Sequence, residues 1–283
     1  MAQLMEHIAL VSEVNAITPS QLAKAAAALQ KQVTRDFQTY WNVTATVSMF
    51  PQLEDVPIGY WPVIIRDDIG FPGAAGIHLD DGGQPYALVQ YSNQWTLTTS
   101  HEILEMLADP FGNRLVAGDS PEEGQERVEF LVEVADPSED AAFSYRVNGI
   151  MVSDFYTPSY FDPVVSTGTR YSLSDAIKKP REVLRGGYLS WHEPISDEWF
   201  QHTWFSGPKP KLVKLGKITG AKSLRSAIDT LTPLPMQIGK GLPAKNKLLA
   251  AAASSSDAMD ESGKAKAASW KKQIAALKQQ FAP

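Results

Sequence analysis

Cysteine is absent from this chain of 283 residues. Its absence excludes disulfide bonds, zinc sites built from thiolates, and catalysis by a thiol nucleophile. Long apolar runs are lacking as well, since no stretch approaches the roughly 18 continuous apolar residues that a membrane span needs. The first residues carry Glu6 and Glu13 and show no basic region followed by an apolar one, so they do not predict a secretory signal. We therefore expect a cytoplasmic protein, or one exported without a conventional signal peptide.

The charged residues are distributed unevenly along the chain. Residues 208–283 contain 14 Lys/Arg and 4 Asp/Glu, whereas residues 1–207 contain 12 and 28, so the two balances are +10 and −16. Hydrophobic residues make up 43% of the sequence, which is enough for a sizeable core. We predict an acidic domain over residues 1–207 and a basic tail over residues 208–283, with different roles.

The first part of the acidic domain predicts one helix followed by strands. Apolar side chains recur at helical spacing over residues 18–40, Pro19 suits the first turn, and Thr18 or Ser20 can cap the helix. Gly82-Gly83 predicts a hairpin turn between two strands. The predicted strands cover residues 43–49, 59–68, 75–81 and 85–92.

The stretch WTLTTSHEILEMLADPFGN, residues 95–113, predicts a second helix with a polar side. Its candidate N-cap residues are Thr98, Thr99 and Ser100. His101 and Glu105 are four residues apart and leave a helix from nearly the same face, with Glu102 beside them. An imidazole and two carboxylates on the polar side of a buried helix predict a metal site.

This pattern, HExxE, differs by one letter from the HExxH motif of metallopeptidases. The order of helix, strands and motif helix resembles the N-terminal half of the zincin metallopeptidases over roughly residues 18–137. The resemblance implies an α+β fold in which an N-terminal helix backs a small mixed sheet, the active-site helix follows, and the C-terminal tail is mostly helical or irregular. It also implies that Tyr86–Tyr91 is an antiparallel edge strand on which an extended peptide can pair. Most zincins have His where this chain has Glu105, which leaves the identity of the metal open.

By this resemblance His101, Glu105 and a third ligand would hold one zinc ion, although other divalent metals are possible, and Glu102 would take a proton from a metal-activated water. The segment GQERVEFLVEVADPSED, residues 124–140, predicts a further helix or a helix running into a turn. Where the third zincin ligand is a glutamate, an aspartate a few residues later orients the histidine, and Glu133 with Asp136 matches that pair. Glu129 and Asp136 are the rival third ligands.

Further candidates follow the predicted metal site along the chain. Asn148-Gly149 predicts a hairpin turn, and residues 172–187 predict a capped helix. A tyrosine hydroxyl or an imidazole commonly stabilises an oxyanion, so Tyr160 and His192 are predicted catalytic residues. Tyr156 and His202 are alternatives for the same role. His7 and His78 are not expected to serve chemistry.

The basic tail predicts a short helix at 223–231, a flexible linker at 250–264 and a final helix at 264–281. The final helix is amphipathic and basic, so we expect it to dock on a protein partner or on the acidic domain of the same chain. The tail lacks interleaved aromatic residues, which leaves no strong signal for nucleic-acid binding.

Three functions are compatible with these features. The first is a metal-dependent, zinc-using peptidase that acts on a peptide or protein substrate. The second is a non-catalytic, zincin-shaped binding or structural component that its basic tail anchors in a larger assembly. The third, hydrolysis of a non-peptide amide, would use the same residues as the first.

Overall fold

The computed structural model describes residues 5–71 and 73–232. Its helices are α1 (Pro19–Lys31), a π-helix (Gln32–Phe37), α2 (Gln38–Trp41), α3 (Trp95–Ala108) and α4 (Leu224–Leu231), and short 3₁₀-helices cover Leu53–Asp55, Asp136–Ser138, Ala141–Phe143 and Pro158–Phe161. Its strands are β1 (Met5–Ser12), β2 (Thr44–Phe50), β3 (Tyr60–Arg66), β4 (Gly76–Asp81), β5 (Gln84–Gln90), β6 (Leu115–Asp119), β7 (Arg127–Leu131), β8 (Tyr145–Val147), β9 (Ile150–Val152), β10 (Tyr188–Glu193), β11 (Glu198–Thr203) and β12 (Lys211–Gly216). The protein is therefore α+β. Among these residues, none of the helices has the length and apolarity that crossing a membrane requires.

The first sheet has the strand order β2-β1-β3-β5-β4 and is parallel except for β4. Ile8 and Leu10 of β1 face the main core, which includes α1 and α3, whereas Ala9 and Val11 face a smaller core on the other side. The sequence did not predict β1, because a strand buried on both faces shows a continuous apolar run rather than alternation. The four strands that were predicted are confirmed.

The predicted edge position of Tyr86–Tyr91 is wrong. Strand β5 pairs with β3 on one side and with β4 on the other, so β4 rather than β5 lies at this edge of the sheet, and β2 lies at the opposite edge. The turn at Gly82-Gly83 causes this arrangement, because both glycines have positive φ angles and fold β4 back antiparallel along β5.

Helix α1 begins as the sequence predicted, with Thr18 as its N-cap and Pro19 in its first turn. The Thr18 hydroxyl oxygen accepts a hydrogen bond from the Gln21 N–H at 3.3 Å, and the Gln21 side chain accepts one from the Thr18 N–H at 2.8 Å. This reciprocal arrangement is a capping box that satisfies two backbone donors at the helix end. Leu22 and Leu29 are buried in the main core, as the apolar stripe predicted.

Replacing Thr18 by alanine should lower the free energy of unfolding by about 1 kcal/mol, because the N–H of Gln21 loses its acceptor. Ser20→Ala is the matched control, since Ser20 is exposed in the first turn of α1. Urea denaturation followed by circular dichroism measures both changes. Equal losses in the two variants would contradict the assignment of Thr18 as the cap.

The second sheet has the order β12-β11-β10-β7-β6 and is antiparallel. The predicted helix over residues 124–140 is wrong, because β7 occupies its centre. Val128 and Phe130 of β7 are fully buried, whereas Arg127 and Glu129 are more exposed, and pairing with β6 and β10 outweighs the helix-like spacing of the glutamates. Glu133 and Asp136 therefore lie on the segment that follows a strand.

The predicted helix over residues 172–187 is also wrong, since this stretch forms turns. Asp175 and Arg181 have left-handed backbone conformations and Pro180 lies beside the second of them, which interrupts a helical path. The hairpin at Asn148-Gly149 is confirmed by the pairing of β8 with β9.

The described part of the predicted basic tail packs against the acidic domain. Strand β12 pairs with β11, and the helix predicted at 223–231 is confirmed as α4. The N–H of Arg225 donates to the carbonyl of Gly112 at 3.0 Å, and the N–H of Leu224 donates to Asn113 Oδ1 at 2.9 Å. Residues 208–232 therefore continue the fold beyond position 207. The predicted linker and final helix lie outside the described residues.

Candidate metal centre

Helix α3 carries the HExxE motif, and hydrogen bonds inside the protein hold it in place. The helix begins at Trp95, so the predicted caps Thr98, Thr99 and Ser100 lie within it. The Ser100 hydroxyl donates to Gln32 Oε1 at 2.7 Å and accepts from the N–H of Ser153 at 2.9 Å. The Ser100 side chain therefore connects α3 to the π-helix and to the segment after β9 instead of capping the helix.

His101, Glu105 and Asp136 form the first cluster of the centre. His101 Nε2 lies 3.2 Å from Glu105 Oε1 and 3.2 Å from Asp136 Oδ1. The side chains are 12%, 0% and 2% exposed, so water hardly screens their charges. Glu105 Oε1 also accepts a hydrogen bond from the N–H of Ala135 at 3.2 Å, which orients the carboxylate. Helix α3, which carries His101 and Glu105, and the segment after β7, which carries Asp136, thus bring these three side chains together.

The protonation of this cluster reflects burial and mutual charge. Burial opposes a charge on His101, but the negative charge of Glu105 and the hydrogen bond that the imidazole donates to Asp136 outweigh burial and raise the pKa of His101 well above its usual value. Burial would also raise the pKa of Glu105, but the positive charges of His101 and Arg225 hold it well below its usual range. Burial, together with the negative charge of Glu105, raises the pKa of Asp136 to about 7.

Glu133 lies in the same acidic centre but contacts a different partner. Nη1 of Arg225 donates to Glu133 Oε2 and to Glu105 Oε2, and the Arg225 side chain is 5% exposed. Burial raises the pKa of Glu133 well above its usual value, although the charge of Arg225 opposes that shift. The structure thus brings Asp136 to His101, which is the contact that the sequence suggested, and pairs Glu133 with the guanidinium; the identity of the third ligand stays a prediction. Glu129, the other rival ligand, is on β7 with its Oε2 3.1 Å from His192 Nδ1.

His78 and Arg225 are residues of the centre that sequence reasoning missed. His78 Nδ1 lies 3.7 Å from Glu102 Oε2 and 3.7 Å from Glu105 Oε2, while its Nε2 is 3.1 Å from the carbonyl oxygen of Asp109. The structure therefore places His78 beside the predicted metal ligands, and the expectation that it serves no chemistry stays a prediction. Arg225 could have been suspected from its spacing, because it is three residues before Ile228 and shares the buried face of α4.

The donor atoms of this centre fit a metal ion. Donors about 2.0–2.1 Å from a tetrahedral zinc ion are about 3.3 Å from one another, close to the two spacings at His101. His101, Glu105 and Asp136 each offer one ligand atom within 4.8 Å of the others. Within the part of the chain that the structure describes, several buried donor and acceptor atoms at the centre have no hydrogen-bond partner, namely His78 Nδ1, Glu102 Oε2, Glu133 Oε1 and Asp136 Oδ2. Unpaired buried acceptors around a surplus of carboxylates favour a bound cation.

The predicted catalytic residues Tyr160 and His192 are not brought to this centre. The Tyr160 hydroxyl donates to the carbonyl of Glu182 at 3.0 Å, inside the core. His192 lies on the second sheet between Glu129 and Asp197, with its two ring nitrogens 3.1 and 3.2 Å from their carboxylates.

The alternative oxyanion stabilisers, Tyr156 and His202, are likewise not members of the cluster that His101, Glu105 and Asp136 form. His202 Nε2 lies 2.6 Å from Glu122 Oε1, on the second sheet. Tyr156 is fully buried and stacks on Tyr160, with ring centroids 4.3 Å apart. Burial raises the pKa of Tyr156, and the nearby charges of Glu133, Glu105 and Asp136 add to the shift.

A cavity of about 310 Å³ opens beside the centre. His101 and Glu102 of α3 line one side of it, and Gly76 of β4 lines another. A Cβ atom at Gly76 would lie 2.5 Å from Glu102 Oε1, so the glycine is what allows this carboxylate to rest against the edge strand. The remaining lining is mainly apolar and includes Phe71, Ala74, Ile77, Leu97, Tyr188 and Phe205. The centre therefore faces a space that an organic group can enter.

The arrangement combines a set of side chains that could hold a metal ion, a carboxylate beside it and an adjoining cavity. Such a combination can hold a metal ion next to a substrate and move protons at Glu102. Comparisons of this chain with models of protein families, with curated proteins and with solved structures found no match.

Proposed function

We propose that this protein is a metal-dependent hydrolase, and specifically a zinc peptidase of the zincin type. The observation that carries the proposal is the convergence of His101 Nε2, Glu105 Oε1 and Asp136 Oδ1 next to a cavity that Glu102 also lines. Three protein ligands with an open side are typical of catalytic zinc sites, whereas structural sites are closed by four. In this proposal Asp136 is the third ligand.

The arrangement around the site supports the zincin type. Helix α1 packs against the first sheet, the antiparallel strand β4 forms its edge, and α3 follows β5 after a short connection. This order is the one that the zincin resemblance implies, with β4 rather than β5 at the edge. We take the likeness as support for a peptide substrate, because an extended chain can pair with an edge strand.

Glu102 would be the general base in this function. When zinc is bound, it polarises a carbonyl group and makes water more acidic. Glu102 is adjacent to His101 on α3 and lines the cavity, so its carboxylate can accept a proton from the attacking water and pass it to the leaving amine. Its burial keeps bulk water from competing for that proton, since the side chain is 3% exposed.

The experiment that tests this function joins metal content to hydrolysis. Wild-type protein exposed to zinc and then desalted should retain about one equivalent by elemental analysis, as three protein ligands in a single cluster imply. The same preparation should cleave members of a random peptide library, and removal of the metal by a chelator should abolish cleavage. Absence of bound metal at every divalent ion tried would refute the proposal.

The two other functions correspond to distinct results of this experiment. One equivalent of zinc with no cleaved peptide, but with turnover of a small amide, would favour the non-peptide hydrolase. Absence of metal and of turnover would favour a non-catalytic component in which Arg225 and the carboxylates form a buried ion-pair network.

A further inference from the structure

Arg225 is the fixed positive charge of the centre. Its Nη1 donates to Glu105 Oε2 and Glu133 Oε2, and its Nη2 lies 3.8 Å from Glu102 Oε2. The guanidinium is protonated at any pH at which proteins are stable, and its contacts with these buried carboxylates hold it in place. An arginine in this position therefore remains charged and stays in place.

A second set of metal donors lies around this guanidinium. His78 Nδ1, Glu102 Oε2 and Glu105 Oε2 belong to buried residues that each offer a ligand atom within 4.8 Å of the others. Two of these atoms, His78 Nδ1 and Glu102 Oε2, have no hydrogen-bond partner among the described residues, and His78 is 1% exposed. Buried and unpaired donors that converge in this way point to a cation.

The two sets share Glu105, which presents a different oxygen to each. Its Oε1 faces His101, whereas its Oε2 faces Arg225 and His78. Hydrolases with two metal ions place them about 3.5–4 Å apart. Here Glu105 Oε1 belongs to the first set of donors, which could hold an ion, whereas Glu105 Oε2 accepts from the guanidinium of Arg225.

We infer that Arg225 is a positioning residue that takes the place of a second metal ion. Its single positive charge stabilises Glu105 Oε2 and Glu133 Oε2, which leaves Glu105 Oε1 directed at the first set. The same charge excludes a second cation from His78, Glu102 and Glu105 by repulsion. The centre is thereby restricted to one ion, and Glu102 is kept from binding metal. This inference rests on the proposed function, since it assumes the first metal site.

The number of bound metal ions tests the inference. Arg225→Gln removes the charge and should raise the zinc content from one to two equivalents per chain, measured by elemental analysis after desalting. Arg225→Lys keeps a positive charge and should remain at one. The double variant His78→Ala/Arg225→Gln should return to one equivalent, because the second set then lacks its only imidazole.

The results separate this inference from the function on which it rests. One equivalent in both wild type and folded Arg225→Gln, with equal affinities by calorimetry, would overturn the inference and leave the proposed function standing. Two tight equivalents in wild type would overturn it without any variant, which covers the case in which Arg225→Gln does not fold. Absence of zinc from wild type would refute the proposed function, and the inference with it.

Discussion

Replacing His101 by alanine is expected to lower the affinity for zinc by more than about 100-fold, because loss of a direct ligand should exceed the 10–100-fold effect of losing a group that only supports one. His101 is the one side chain of the first cluster that contacts both Glu105 and Asp136. Its removal therefore leaves two buried carboxylates without a shared partner. Competition with a fluorescent zinc chelator measures the change.

Asp136→Ala should produce a loss of similar size, since Asp136 Oδ1 is the third donor. His192→Ala is the matched control: this histidine also lies between two carboxylates, Glu129 and Asp197, but on the second sheet. It should retain the zinc affinity of wild type. Circular dichroism would establish that each variant is folded. Equal zinc content in wild type and in a folded His101→Ala/Glu105→Ala double variant would refute the metal site.

Replacing Glu102 by glutamine is expected to reduce kcat for peptide hydrolysis by roughly 10²–10⁴-fold, the usual contribution of a general base. The amide has nearly the shape of the carboxylate, so it preserves the contact with Gly76 that holds the side chain against β4. It cannot accept a proton at neutral pH. Zinc content should stay at one equivalent, because Glu102 is not a ligand of the first cluster.

Glu129→Gln is the control for this change. Glu129 is a partly exposed glutamate on β7 that pairs with His192, and its replacement should leave kcat within about twofold, as for a surface change away from the site. Steady-state kinetics on the best peptide of a library would measure both variants. Undiminished hydrolysis by Glu102→Gln would remove Glu102 from the mechanism, whereas loss of zinc would show that it is a ligand instead.

Local sequence signals predicted much of the first half of the fold. The apolar stripe from Leu22 to Phe37 and the cap at Thr18 specify a helix through contacts within a few residues, and the turn at Gly82-Gly83 specifies a hairpin. The sequence did not predict strand β1, because both of its faces are buried and apolar residues therefore do not alternate with polar ones. The 124–140 segment was misjudged because glutamates three and four residues apart suggested a helix, whereas strand pairing with β6 and β10 governs its conformation.

The candidate site likewise has one part that the sequence predicts and another that only the tertiary structure explains. Helical geometry places His101 and Glu105 on one face from the sequence alone, because side chains four residues apart on a helix are neighbours, and Glu102 follows His101 directly in the chain. The contact of Asp136 with His101, and the positions of His78 and Arg225 beside Glu105, depend on contacts between residues about 30 to 120 positions apart in the chain. No local pattern encodes these contacts. They form when the edge strand, the segment after β7 and α4 close around α3, and the balance of buried charge then decides which carboxylate faces the histidine and which faces the arginine.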